Sequence, residues 1–260
     1  MGLIDIDTLS KNRREIHMSI TTRTFEYKDG DTVCVGFLAY DDSVSSARPA
    51  VLINHAWGGR DDFAEGVAIQ MAANGYIGVA LDNYGGGALP ETVDDKMGYM
   101  GPLKEDRAAL LSRLKAGYDG AAALDEVDAS AMAAIGFCFG GLCTLDMARG
   151  GLDLKAAVSY HGLLDAPDLP KNKITADVLI CHGYDDPMAD PDSLRTVQDE
   201  MVAAGCDWTV MSFGNTKHAF MVPEADDADL GLKYNKSAAD QSWAATFDLL
   251  RKHFGSHGAA

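Results

Sequence analysis

The chain is 260 residues long, 47% apolar and 23% charged, which suits one α/β domain with a sizeable core. A formal net charge of −17 argues against nucleic acid and anionic membrane as partners, because both need a basic face. No apolar run approaches the roughly 18 residues of a membrane span, and the start, Met1 to Asp7, has neither the basic nor the apolar part of an export signal, so a cytoplasmic protein with its five cysteines reduced is expected.

Residues 1–18 are polar and mixed and read as a surface arm. Thr22 to Tyr40 holds two alternating runs around Asp29-Gly30, a hairpin signal. Val51 to Ile53 reads as a buried strand ending at Asn54-His-Ala-Trp-Gly-Gly59, a loop placed where α/β sheets bind ligands. A helix over Asp61 to Ala73 follows, with Asn74-Gly75 as its cap, then a strand over Tyr76 to Leu81 ending at Asp82-Asn-Tyr-Gly-Gly-Gly87.

Ala88 to Gly101 reads as an irregular excursion bordering the pocket, with Pro90, Gly98 and Pro102 as breakers. Lys104 to about Val127 reads as one helix loosened near Gly117 and Gly120. The spacing then predicts a strand at Ala131 to Ile135, a helix at Leu142 to Ala148, strands at Leu154 to Tyr160 and Asp177 to Cys181, a helix at Asp192 to Ala204 and a strand at Trp208 to Phe213. An amphipathic helix over Ser237 to Phe254 and a frayed tail over 255–260 close the chain. Strands alternating with helices predict a doubly wound, mostly parallel sheet with an antiparallel N-terminal hairpin, in one domain over 1–260.

The most informative stretch is Gly136-Phe-Cys-Phe-Gly140, between an apolar strand and a helix. It is a nucleophile elbow, G-x-S-x-G with cysteine at its centre. The sharp turn demands glycine on either side and sets the Cys138 sulfur at a helix N-terminus, where free N–H groups favour the thiolate. The N–H of Phe139 is then half of an oxyanion hole. A thiol needs a base, and in this chain order an acid follows the nucleophile and a histidine comes last.

After Cys181-His-Gly183, both Asp185 and Asp186 are candidate acids. Asp186 is preferred because the residue before Pro187 is biased to an extended conformation. Of seven histidines, His218 lies in the loop between the last strand and the last helix, where the base belongs. His161 and His182 follow strand ends, and a structural hydrogen bond is the expected role of each. His55 sits on the loop that should supply the second oxyanion donor. No metal-ligand spacing links the histidines and cysteines.

Together, Gly136-Phe-Cys-Phe-Gly-Gly141, His182-Gly-Tyr-Asp-Asp-Pro187, Lys217-His-Ala-Phe220 and Gly231-Leu-Lys-Tyr-Asn-Lys236 resemble the dienelactone hydrolase family, from about Thr21 to Phe254. The resemblance implies an α/β-hydrolase fold, a triad of Cys138, Asp186 and His218, and an oxyanion hole formed by the N–H groups of Phe139 and Trp57. It also implies ester or lactone hydrolysis through a thioester, with no metal or organic cofactor.

Three positions depart from the family pattern. Ala56 stands where many members carry a first-loop Glu, and Gly86 and Val222 stand where arginines would clamp a substrate carboxylate. Without that bidentate recognition an anionic dienelactone is a poor substrate, and a small neutral ester is expected. Without the first-loop carboxylate, Cys138 is expected to rest as a thiolate paired with protonated His218, unless Asp82, Glu91 or His55 takes its place. His55, Ala56, Tyr84, Gly86, His161, Phe220 and Val222 are the expected pocket. The alternative is a protein that has lost hydrolysis and keeps Cys138 as a redox sensor or small-molecule binder. The oligomeric state is left open.

Overall fold

The hairpin expected at the N-terminus forms from β1 (Ile20–Asp29) and β2 (Thr32–Asp41), turning at Gly30 with φ +58°. In the computed structural model, residues 19–169 and 172–255 are described; the expected arm over 1–18 and the tail beyond 255 lie outside them. From the hairpin the chain runs through β3 (Arg48–Asn54), α1 (Asp62–Ala73), β4 (Ile77–Ala80), α2 (Val93–Glu105) and α3 (Arg107–Ala122). β5 (Val127–Phe137), α4 (Phe139–Arg149), β6 (Ala156–Tyr160) and β7 (Asp177–Gly183) follow. The chain ends through α5 (Pro191–Ala204), β8 (Trp208–Phe213), a short β9–β10 ribbon (Asp226–Asp227 and Leu232–Lys233) and α6 (Lys236–Phe254). The main sheet has the order β1-β2-β4-β3-β5-β6-β7-β8. Its pairs are antiparallel as far as β4 and parallel from β4 to β8, an α/β-hydrolase fold.

Period-2 alternation sorts the strand residues onto two cores. On β3 and β5, Val51, Ile53, Ala133, Ile135 and Phe137 face α1 and α6, while Ala50, Leu52, Met132 and Ala134 face the side covered by α3, α4 and α5. With both faces covered, the central strands read as continuous apolar runs, and every residue of β3, β4 and β6 is buried.

Two expectations fail between 88 and 127. The irregular stretch is helical from Val93, because Thr92 caps it: its Oγ1 accepts from the Asp95 N–H at 3.1 Å and donates to the Asp95 carboxylate at 2.6 Å. Pro102 sits inside this helix near its end. The single helix expected from Lys104 is broken at Asp106, which ends α2 and caps α3 through the Ala109 N–H at 2.9 Å. Gly117 and Gly120 do not loosen α3. They let it dock, since a Cβ on Gly120 would meet Tyr27 Cβ at 2.7 Å. Docked there, Tyr27 donates its hydroxyl to the Asp82 carbonyl at 2.8 Å and accepts from the Asp82 N–H at 2.9 Å, tying α3 and β1 to a loop beside the site.

Candidate active site

At the C-terminal edge of β5 the chain reverses into α4 through Cys138, whose φ of 55° and ψ of −117° are strained for a residue with a side chain. The flanking glycines make the reversal possible. A Cβ on Gly136 would meet the Gly140 carbonyl oxygen at 1.9 Å, and one on Gly140 would meet the Asn54 carbonyl oxygen at 2.0 Å. Phe139 is the first residue of α4, so its N–H has no intrahelical partner. Trp57 lies on the loop after β3.

β7 and the loop after β8 supply the other two groups. His218 Nδ1 donates to Asp186 Oδ2 at 2.8 Å, and Asp186 Oδ1 accepts from the Met188 N–H at 2.8 Å. Both side chains are buried, while Asp185 is exposed and only its backbone is engaged, with the Thr216 carbonyl. Burial opposes charge on His218, but the nearby Cys138 sulfur and then the Asp186 carboxylate outweigh it and raise the imidazole to about 10. No hydrogen bond of standard geometry closes on His218 Nε2, although Cys138 is close enough to couple to the ring. The other deeply buried thiols are held protonated by burial: Cys34 is pushed up to about 11, Cys181 to about 12 and Cys143 well above the ordinary range.

The base loop is held by elements that sequence reasoning did not weigh. The Lys233 N–H donates to the His218 carbonyl at 3.0 Å, so β10 pins the histidine's backbone. Gly231, at φ +70°, packs where a Cβ would meet Pro187 Cγ at 2.5 Å, joining the acid and base loops. The signal available in the sequence was Gly231 just after the acidic residues Asp226, Asp227 and Asp229.

A cavity of about 460 Å³ opens over Cys138 and His218. Of the expected pocket residues, Ala56, His161 and Val222 line it, as does Trp57. His55, Tyr84, Gly86 and Phe220 do not. His55 is spent on structure. Its Nε2 accepts from the Asn83 N–H at 3.1 Å, which fixes the proton on Nδ1, and Nδ1 donates to the Ala56 carbonyl at 2.6 Å. Tyr84 turns its hydroxyl to the Trp57 carbonyl at 3.0 Å, and Phe220 packs behind His161 in the core.

Gly86 belongs to a turn built around Asp82. The Asp82 carboxylate accepts from four backbone N–H groups, those of Val35, Tyr84, Gly85 and Gly87, at 2.7–3.1 Å. Asp82 and His55 therefore have no free valence to replace the missing first-loop Glu. Glu91 is exposed and lies outside the cavity lining.

The expected structural hydrogen bonds of His161 and His182 are not made with standard geometry, although the His161 ring has its own backbone close by. Each ring is buried with both nitrogens lacking a partner among the described residues. Burial pushes both imidazoles below their usual value, His161 far below.

The sequence pattern of the dienelactone hydrolase family matches residues 35–254. The chain belongs to the dienelactone hydrolase family. A solved dienelactone hydrolase-like promiscuous phosphotriesterase from metagenomic libraries is 35% identical and superposes with a TM-score of 0.87, covering 91% of this chain and 100% of that one. An uncharacterized protein of Caenorhabditis elegans is 33% identical over 58% of this chain and 99% of its own length. A putative carboxymethylenebutenolidase of Yersinia pestis is 22% identical over 84% of this chain and 83% of its own. As a member of this family the protein is a hydrolase acting on esters or lactones. Among the described residues, no helix is long and apolar enough to cross a membrane.

Proposed function

We propose that this dienelactone hydrolase-family enzyme cleaves small neutral carboxylic esters or lactones through a Cys138 thioester. The observation that carries the reading is the buried Asp186–His218 pair charge-coupled to a cysteine on a strained elbow, all beside one cavity. A bare thiol sensor has no use for an oriented imidazole, which favours hydrolysis over the redox alternative.

In the proposed cycle His218 starts with its proton, and the Cys138 sulfur beside it reacts as the thiolate. The sulfur adds to the substrate carbonyl carbon, and the oxyanion is met by the N–H groups of Phe139 and Trp57. As the tetrahedral intermediate collapses, the C–O bond breaks and the imidazolium protonates the departing alkoxide. Neutral His218 then takes a proton from water, whose oxygen adds to the thioester. That transfer restores the imidazolium, and collapse breaks the C–S bond, expelling the Cys138 thiolate and releasing the acid, while Asp186 holds the tautomer throughout.

The cavity lining supports a neutral substrate. It is largely apolar, with Trp57, Phe63, Met97, Met100, Leu163 and Met188. Its two lysines, Lys96 and Lys104, are balanced by Asp61 and Glu224. Lys96 sits over the Trp57 ring at 5.3 Å and Lys104 pairs with Asp165 at 3.0 Å. Of the other cations near the loops, Arg60 is taken by Glu65 and the Val35 carbonyl, and Lys217 is exposed.

The test is a kinetic panel of p-nitrophenyl butyrate, its succinate half-ester, a dienelactone and its methyl ester. A phosphotriester is added because the solved 35% identical relative is described as a phosphotriesterase. The neutral ester of each pair should have the higher kcat/KM. His218→Ala and Asp186→Asn should each lose about 10³- to 10⁴-fold in kcat, while Asp185→Asn stays near wild type. An anionic dienelactone turned over faster than its methyl ester would overturn the substrate class, and a crippled Asp185→Asn would overturn the acid assignment.

A further inference from the structure

His161 is a buried imidazole at the active site with its hydrogen-bonding capacity unspent. It is 1% exposed, lines the cavity together with Cys138 and His218, and no hydrogen bond of standard geometry closes on either ring nitrogen among the described residues, although its own backbone lies close to the ring. Around it are a hydrocarbon wall and one catalytic group. The Phe220 ring lies at 5.3 Å and the Phe137 ring at 6.1 Å, and His218 stands edge-on at 5.0 Å.

The backbone is bent to hold it there. His161 has φ +36°, in the left-handed region that residues with side chains rarely occupy, and its N–H is fixed to the Cys181 carbonyl at 2.8 Å. Glycine follows it in a tight space, where a Cβ on Gly162 would meet Ser159 Oγ at 2.1 Å and the Gly141 Cα at 3.1 Å. A kink of this kind, made to present a polar ring to a catalytic cavity, marks a group that acts on what enters the cavity.

A neutral imidazole carries one donor and one acceptor nitrogen. Burial, reinforced by the neighbouring His218 charge, keeps His161 neutral. Its acceptor nitrogen can be satisfied only by a donor. An ester or thioester offers acceptors alone, and the oxyanion is served by the N–H groups of Phe139 and Trp57. The reactant that brings donors is water. We propose that His161 is a further catalytic residue, holding the water that hydrolyses the acyl-Cys138 thioester and aiming it at the carbonyl carbon.

In that step one O–H of the water gives its proton to neutral His218. The other donates a hydrogen bond to His161, which leaves a lone pair free to form the new C–O bond. The C–S bond then breaks, and the electron pair leaves on the Cys138 sulfur. His161 gains and loses no proton. His55, with both nitrogens bonded, and His182, outside the cavity lining, cannot take this part.

The inference rests on the Cys138 thioester, and the experiment separates the two. Stopped-flow mixing with p-nitrophenyl acetate reads acylation as the nitrophenolate burst and deacylation as the steady-state rate. His161→Phe keeps an apolar ring and removes both nitrogens. It should keep the wild-type burst rate while its steady-state rate drops about 10²-fold, the scale of losing a reactant's positioning. His161→Gln, which keeps a donor and an acceptor, should recover part of the loss. Added methanol should divert a larger share of acyl-enzyme to methyl acetate in His161→Phe than in wild type. Should His161→Phe fail to fold by circular dichroism, His161→Met repeats the test. Burst and steady-state rates that fall together, or an unchanged steady state, would overturn the role of His161 and leave the thioester standing. Absence of an acetyl adduct on Cys138 in the wild type would overturn both.

Discussion

The two walls of the active-site cavity are built on opposite plans. On the wall that starts with the loop after β3 and is backed by the loop after β4, most polar side chains are spent on local bonds, although Asn83 Oδ1 has no partner among the described residues. Asp82 binds four backbone N–H groups, and His55 bridges Ala56 and Asn83. Asn54 joins Thr144 and Asn83, and Arg113 caps the carbonyls of Asn83 and Tyr84. On the wall formed by the loops after β6, β7 and β8, no hydrogen bond of standard geometry closes on His218 Nε2 or on either nitrogen of His161 among the described residues. The first wall is a rigid frame that fixes where Trp57 presents its N–H. The second keeps its hydrogen-bonding capacity for reactants, at a cost in stability.

Breaking the frame should have the largest effect on folding. Asp82→Ala leaves four N–H groups, one on β2 and three in the part-buried turn after β4, without their acceptor, at about 1–3 kcal/mol for each that water cannot reach. A loss of at least about 3 kcal/mol in urea unfolding is expected. A loss under 1 kcal/mol would mean that the turn is held by its glycines and Arg113 instead.

The buried neutral histidines of both walls and of the core behind them should reveal themselves in acid. His55, His161 and His182 all have folded pKa values below their unfolded ones, with burial the leading cause. The unfolded chain therefore binds more protons as pH falls below about 6.5. Stability contributed by their neutrality is present above that pH and is lost on acidification, by about 1.4 kcal/mol per pH unit for each histidine still neutral in the fold. His218, raised in the fold to about 10, gives the opposite slope where its unfolded form titrates, around and above pH 6.5, and adds little well below that pH, where both states hold its proton. Urea unfolding between about pH 5 and 6.5, where the three neutral histidines dominate, should show the decline, shallower in His182→Phe. A flat profile over that range would contradict the neutral assignments.

Much of this was legible in the sequence because a nucleophile elbow needs specific residues locally. Gly136, Cys138 and Gly140 announce the strand–turn–helix, and chain order points to Asp186 and His218. The helix at Val93–Glu105 was hidden by Gly98 and Pro102, although the Thr92–Asp95 cap was there to be read. Gly117 and Gly120 read as weakness in a helix, whereas their reason is Tyr27, about 90 residues away in the chain and in contact only in the fold. The lining of the cavity was the least legible part. Whether His55 or His161 faces it depends on the left-handed backbone at His161 and on the Asn83 N–H, and neither leaves a local pattern.

The central claim is that the acyl group passes through Cys138, and intact-mass analysis of enzyme rapidly mixed with p-nitrophenyl acetate and quenched in acid tests it most directly. The account predicts a single acetyl adduct on the Cys138 peptide, labile to neutral hydroxylamine, decaying at the steady-state rate and absent from Cys138→Ala. The other deeply buried thiols should stay unmodified, since burial holds Cys34, Cys143 and Cys181 protonated. Full turnover by Cys138→Ala, or an adduct on any other residue, would contradict it.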